Sequence, residues 1–112
     1  MILDELVALA DDLHIPVMTA SFIGKVPDQY VVLTQMEDTF EIFADNRPHM
    51  DVCSVRISLF SKGNYLYTKD LLVDALRRAG FTITLRRYIS RDDDSGYHHY
   101  VVDVDKEYII EE

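Results

Sequence analysis

The chain has 112 residues, 20 acidic against 11 basic, with one cysteine and no tryptophan, which fits one domain that buries roughly 65% of its unfolded surface and leaves no room for two. A formal net charge of −9 argues against general phosphate-backbone binding, which draws on a surplus of Lys and Arg. The lone thiol, Cys53, excludes an intramolecular disulfide and a cysteine-based metal cluster and points to a reducing compartment.

Ile2, Leu6, Leu9, Ala10 and Leu13 recur at three- and four-residue spacing against Asp4, Glu5, Asp11 and Asp12, so residues 2–13 read as an amphipathic helix ended by Pro16. Val17 to Phe22 suits a short strand and residues 24–28 a turn. Tyr30 to Met36 and Phe40 to Ala44 are rich in β-branched and aromatic residues, and Glu37-Asp38-Thr39 between them predicts the turn of a hairpin. Residues 45–50 read as a loop because Pro48 lacks a ladder donor. From Val52 to Ser61 the chain alternates, Cys53, Val55, Ile57 and Leu59 on one face and Ser54, Arg56 and Ser58 on the other, as in a half-buried strand.

Lys62-Gly63-Asn64 breaks that strand, and Thr68 predicts the N-cap of a helix over 69–79, with Asp70 in its first turn, Arg77 and Arg78 in its last and Gly80 closing it. Its expected buried stripe is Leu72, Ala75, Leu76 and Ala79. Phe81 to Ile89 and Tyr97 to Asp105 alternate with period two around the polar tip Arg91-Asp92-Asp93-Asp94-Ser95-Gly96, a second hairpin in which Tyr100, Val102 and Val104 face in and Val101, Asp103 and Asp105 face out. The order helix, strands, helix, C-terminal hairpin predicts a single α+β domain over 1–112, a largely antiparallel mixed sheet flanked by two helices.

Charge is unevenly distributed. Residues 1–51 carry ten acids and two bases, 52–91 two acids and eight bases, and 92–112 eight acids and one base, giving blocks of −8, +6 and −7. Either the blocks neutralise one another inside the fold, or they form separate patches suited to contact between copies of the chain. Tyr65, Tyr67, Tyr88, Tyr97, Tyr100 and Tyr108 accompany Arg86, Arg87 and Arg91, and Tyr with Arg is enriched at interface centres.

Motifs for chemistry are weak. Cys53 faces the predicted core with no catalytic-cysteine pattern around it. His98 and His99, adjacent on a strand, point to opposite faces and cannot share a metal. Asp92-Asp93-Asp94-Ser95-Gly96 lacks glycine at the sixth position of a calcium loop, where Tyr97 stands, and strands flank it. No cofactor, metal or catalytic residue is assigned. The first residues, Met1-Ile2-Leu3-Asp4-Glu5, lack the basic start of a signal peptide, and no run reaches the ~18 apolar residues of a membrane span. A soluble, cytoplasmically made protein without a membrane partner is expected.

Val55-Arg56-Ile57-Ser58-Leu59-Phe60-Ser61-Lys62-Gly63-Asn64-Tyr65, Ala79-Gly80-Phe81, and Asp94-Ser95-Gly96-Tyr97-His98-His99-Tyr100 with Val102-Asp103-Val104 resemble the tail-completion, or tail-terminator, proteins of long-tailed bacteriophages, over nearly the whole chain. The resemblance implies an α+β fold and a structural, non-enzymatic role. Such proteins form a ring, typically of six copies, at the head-proximal end of the tail tube, stop its polymerisation and offer the head-joining surface. The implied partners are the chain itself, the tail-tube protein and a head-completion or connector protein, in a virion assembled in the host cytoplasm. Neck and connector proteins share this level of resemblance, and a binding module outside any virion or a metal-dependent enzyme using His98, His99 or the aspartate tip are the alternatives. For a ring, the charge blocks suggest a basic side with Arg77, Arg78, Arg86, Arg87, Tyr88 and Arg91 and an acidic side with Asp11, Asp12, Asp103 and Asp105.

Overall fold

The computed structural model describes residues 1–18, 26–42 and 48–110. Along the chain run α1 (Ile2–Asp12), β1 (Gln29–Ile42), β2 (Pro48–Ser61), α2 (Tyr65–Arg78), β3 (Thr82–Arg91) and β4 (His98–Ile109). The strands form one sheet in the order β1-β2-β4-β3, every neighbouring pair antiparallel. This is an α+β fold. The segment carrying α2 links β2 to β3 across β4, which lies between them in the sheet.

Strand alternation explains the layering. Cys53, Val55, Ile57 and Leu59 of β2 and Val102 and Val104 of β4 are buried with Ile2, Leu6 and Ala10 of α1 and Leu72 and Leu76 of α2, so both helices cover the same face of the sheet. The other face has no second layer among the described residues. It is held across the strands by Arg56, bidentate on Asp103 at 2.8 and 3.0 Å, by the Ser54 hydroxyl donating to Asp105 at 2.6 Å, and by a ladder in which the Phe60 ring stacks on Tyr30 at 5.1 Å and on His99 at 4.3 Å. Tyr30, Phe60 and His99 are directly opposite one another in register, where aromatic pairs add most to a sheet.

The α+β order holds, and several details differ from the sequence expectations. Glu37-Asp38-Thr39 makes no turn: β1 continues through it, pairing with Ser54, Cys53 and Val52, and a bulge at Met36 absorbs the irregularity. β2 begins at Pro48, where a loop over 45–50 was expected; Pro48 opposes Ile42 at the hairpin end, where a missing donor costs least. Residues 45–47 of that loop, 43 and 44 of the expected second hairpin strand, 24 and 25 of the expected turn and 19–22 of the expected strand lie outside the described residues; of that strand, Val17 makes a parallel bridge to Val31. Asn64, not Thr68, caps α2, accepting from the Tyr67 N–H at 3.2 Å. The helix starts one turn early, which removes Asp70 from the first turn and leaves Thr68 buried within the helix. Ala79 of the expected stripe is exposed.

Both helices stop in the same way. Gly80 takes φ +87° after α2, with its N–H on the Arg77 carbonyl and that of the buried Phe81 on Leu76. His14 takes φ +59° after α1, with its N–H on Asp11 and that of the buried Ile15 on Ala10. This doubly bonded left-handed cap suits glycine and is strained for histidine. His14→Gly is therefore expected to raise stability by about 1 kcal/mol, read from the urea midpoint at unchanged slope.

α1 is tied to β4 from the far end of the chain. Tyr108 donates its hydroxyl to the Glu5 carboxylate, and Lys106 donates to Glu5 at 3.0 Å while lying 4.6 Å from the centre of the Phe81 ring. The Tyr108 hydrogen bond first, then Lys106, holds the Glu5 carboxyl below its ordinary 4.5. A lowered carboxyl contributes stability that is present above the unfolded value and lost as pH falls through the folded one. Tyr108→Phe should cost about 1–2 kcal/mol at pH 7 and shrink the loss of stability on acidification below 4.5, measured by denaturation across pH.

Candidate functional site

The two edges of the sheet carry opposite charge. β1, at one edge, contains Glu37, Asp38 and Glu41 and no base; β3, at the other, contains Arg86, Arg87 and Arg91 and no acid. Glu37, Asp38, Arg86 and Arg87 are exposed, and among the described residues none of these four makes an ion pair. Beyond Val31, no described strand covers the outer side of β1, and none covers β3. An edge strand with free N–H and C=O groups is a template for another strand unless it is blunted. Bulges at Met36 on β1 and at Thr84 and Ile89 on β3 leave only short regular stretches between them.

The basic residues singled out by the sequence fall into three settings. Arg86, Arg87 and Tyr88 stand together on β3, with the Tyr88 hydroxyl 2.9 Å from His98 Nδ1 and its ring 5.3 Å from Tyr65. Arg77, on the last turn of α2, shares a cavity of about 450 Å³ with Arg86, Val73 and Ile83. Arg78 is occupied by Asp74 at 2.9 Å, and Arg91 by Asp93 at 3.1 Å.

The acidic residues expected to answer them are less well placed. Asp103 does lie on the face away from the helices, but it is buried and taken by Arg56, so it is not the free surface acid that the alternation suggested; Val101 beside it is buried too. Asp105 is engaged by Ser54. Asp11 and Asp12 are exposed at the end of α1, and the structure does not bring them near the Arg-bearing strand as part of any described ion pair. The acids that face outward on a sheet edge are Glu37 and Asp38, which sequence reasoning spent on a turn. The signal that could have found them is the unbroken β-rich run on both sides of them.

Along the helix layer a groove of about 640 Å³ runs between α1 and α2, with Leu9, Leu13, Leu71 and Phe81 in its wall and Asp12, Asp74 and Arg78 among its charges. Asp92 at the β3–β4 tip is consumed locally, accepting from the Ser95 hydroxyl at 2.8 Å and the Asp94 N–H at 3.0 Å, and these bonds hold its carboxyl low. His99 Nε2 is buried without a partner, and burial, with Arg56 second, keeps the ring below its ordinary 6.5. Among the described residues no three His, Cys, Asp or Glu converge as metal ligands would, and no helix is long and apolar enough to cross a membrane. Cys53 is buried, and burial pushes its thiol up to about 11, the opposite of an activated nucleophile. No family model matches the chain, and no curated protein matches it.

Asp103→Ala should lower stability, because it removes the carboxylate through which Arg56 ties β2 to β4, and should leave any self-association of the surviving folded protein unchanged. Parallel melting curves and light scattering separate the two effects.

Proposed function

We propose that the protein is a ring-forming structural subunit of the tail-completion class of long-tailed bacteriophages, sitting at the head-proximal end of the tail tube, stopping its growth and presenting the surface to which the head joins. The observation that carries the ring is a pair of sheet edges of opposite charge, which no strand among the described residues covers beyond Val31. A head-to-tail contact brings two different surfaces of the same chain together and closes into a ring when the rotation between copies is right. The sheet has four strands of alternating direction, so β3 of one copy set beside β1 of the next continues the alternation, and every junction is antiparallel like the strand pairs within a copy. Six copies would give one closed sheet with no edge left to pair. Complementary charge steers this junction and disfavours β1 on β1 or β3 on β3.

The role is structural, without catalysis or cofactor, in the virion and in the host cytoplasm during assembly. The tail-tube protein on one side and a head-completion or connector protein on the other are the partners of the ring, and nucleic acid is not specifically bound. A binding module outside any virion has one feature in its favour, the apolar groove between α1 and α2.

The test is molar mass by light scattering during gel filtration at low and high salt, with capture by tail-tube protein. The proposal expects a discrete oligomer that weakens with salt. Arg86→Glu with Arg87→Glu should abolish it while folding stability stays within about 0.5 kcal/mol, as for exposed positions. A protein that stays monomeric at high concentration and ignores tube protein would overturn the ring and leave the binding-module reading.

A further inference from the structure

The backbone fixes more than which edges meet. Val31 sends both its N–H, to Pro16, and its C=O, to Met18, away from β2. In an antiparallel ladder the two groups of a residue point the same way and the direction alternates along the strand. Val31 opposes Leu59, so Leu59 and, two by two, Ile57, Val55 and Cys53 turn their groups toward β4, while Ser54 turns toward β1 and bonds its partner Glu37. Asp38, next to Glu37, therefore presents its N–H and C=O to the free edge. On the other side Ile57 bonds Val102, so Val102 turns away from β3 and its opposite number there, Arg86, also presents its backbone to the free edge.

Side-chain faces follow the same registers. Asp38 opposes Cys53 and Arg86 opposes Val102, both on the helix side; Glu37 opposes Ser54 and Arg87 opposes Val101, both on the uncovered side.

From these constraints we infer the register of the junction between copies: Arg86 of β3 stands directly opposite Asp38 of the next copy's β1 as a hydrogen-bonded pair, and Arg87 opposite Glu37 as the adjoining non-hydrogen-bonded pair. One antiparallel register delivers both pairs, because the two positions step in opposite directions along the two strands. It satisfies three conditions together: both backbones of the Arg86–Asp38 pair point into the junction, each arginine shares a face of the sheet with its acid, and both charges are matched. The three positions Leu85–Arg87 and their partners Glu37–Thr39 fall between the bulges at Thr84 and Ile89 on one strand and after that at Met36 on the other, so the pairing occupies regular backbone. On the helix side Arg77, across the cavity it shares with Arg86, is a second cation for Asp38. This inference rests on the ring reading and specifies its contact.

Two variants test it. Glu37→Cys with Arg87→Cys places thiols at the non-hydrogen-bonded pair, where strands bring Cα atoms to about 4.5 Å, within disulfide range. The two positions lie on opposite edges of one sheet, at least three strand spacings or roughly 14 Å apart, so a bond between them must join copies, and buried Cys53 takes no part. Oxidation should yield a ladder of covalent oligomers on a non-reducing gel, and Glu37→Cys with Arg86→Cys, which puts the thiols on opposite faces, should not. In the second variant, Asp38→Arg or Arg86→Asp alone should weaken association at least about tenfold by setting like charges opposite each other, and the two together should restore it to within about threefold. Covalent oligomers with restoration support the register. Wild-type oligomers without either result overturn the register and leave the ring. Wild-type protein that is monomeric at every salt concentration overturns both.

Discussion

Val55 opposite Val104 and Ile57 opposite Val102 set the register between the two central strands, and the remaining structure is referred to it. All four side chains are essentially fully buried beneath the helices, so a slip of β4 by one residue would turn Val102 and Val104 out to water and bring Asp103 into the apolar layer, away from Arg56, at a cost no small domain can offset. The uncovered face fixes the same register with different chemistry: the fork of Arg56 on Asp103 and the Ser54–Asp105 hydrogen bond span the same two strands. An apolar row on one side and a polar one on the other specify one alignment, and the phase of both outer strands follows from it.

The architecture was legible because it rests on local signals: three- and four-residue spacing in the helices, alternation in β2 and β4, and Gly80 after Arg77 and Arg78. Legibility failed where a residue's state is decided by a strand that is distant in sequence. Glu37-Asp38-Thr39 has turn composition, yet Ser54, Cys53 and Val52 supply it with a ladder. Asp103 was placed on the correct face, but its burial comes from Arg56, 47 positions earlier. Thr68 and Asn64 are both good caps, and the choice fell to the residue right after the strand break. The link from Tyr108 to Glu5 spans 103 positions and has no local signature. The same limitation hid the acidic edge, since once Glu37 and Asp38 were read as a turn there was no long β1 to carry them.

The charge blocks take a middle course between the two readings open at the sequence level. Part of the charge is neutralised across blocks inside the fold: Arg56 of the basic block holds Asp103 of the acidic C-terminal block, and Lys106 of that block holds Glu5 of the first. Another part is sorted to the rims of the sheet, with Arg86 and Arg87 on one and Glu37 and Asp38 on the other. Net charge describes this molecule poorly, because it behaves more like a plate with two poles than like an acidic sphere.

Cys53 has a consequence of another kind. It is the only thiol in the chain, it lies on a central strand, and it is 3% exposed. A maleimide or disulfide reagent reaches it only when β2 parts from the helices, so the modification rate is a clock for that opening event and for no other thiol. Because neither sheet edge contains a thiol, assembly at the edges could slow the clock only by stabilising the folded sheet. One chemical trace, followed across protein concentration, would thus report how strongly neighbouring copies brace the interior of each other.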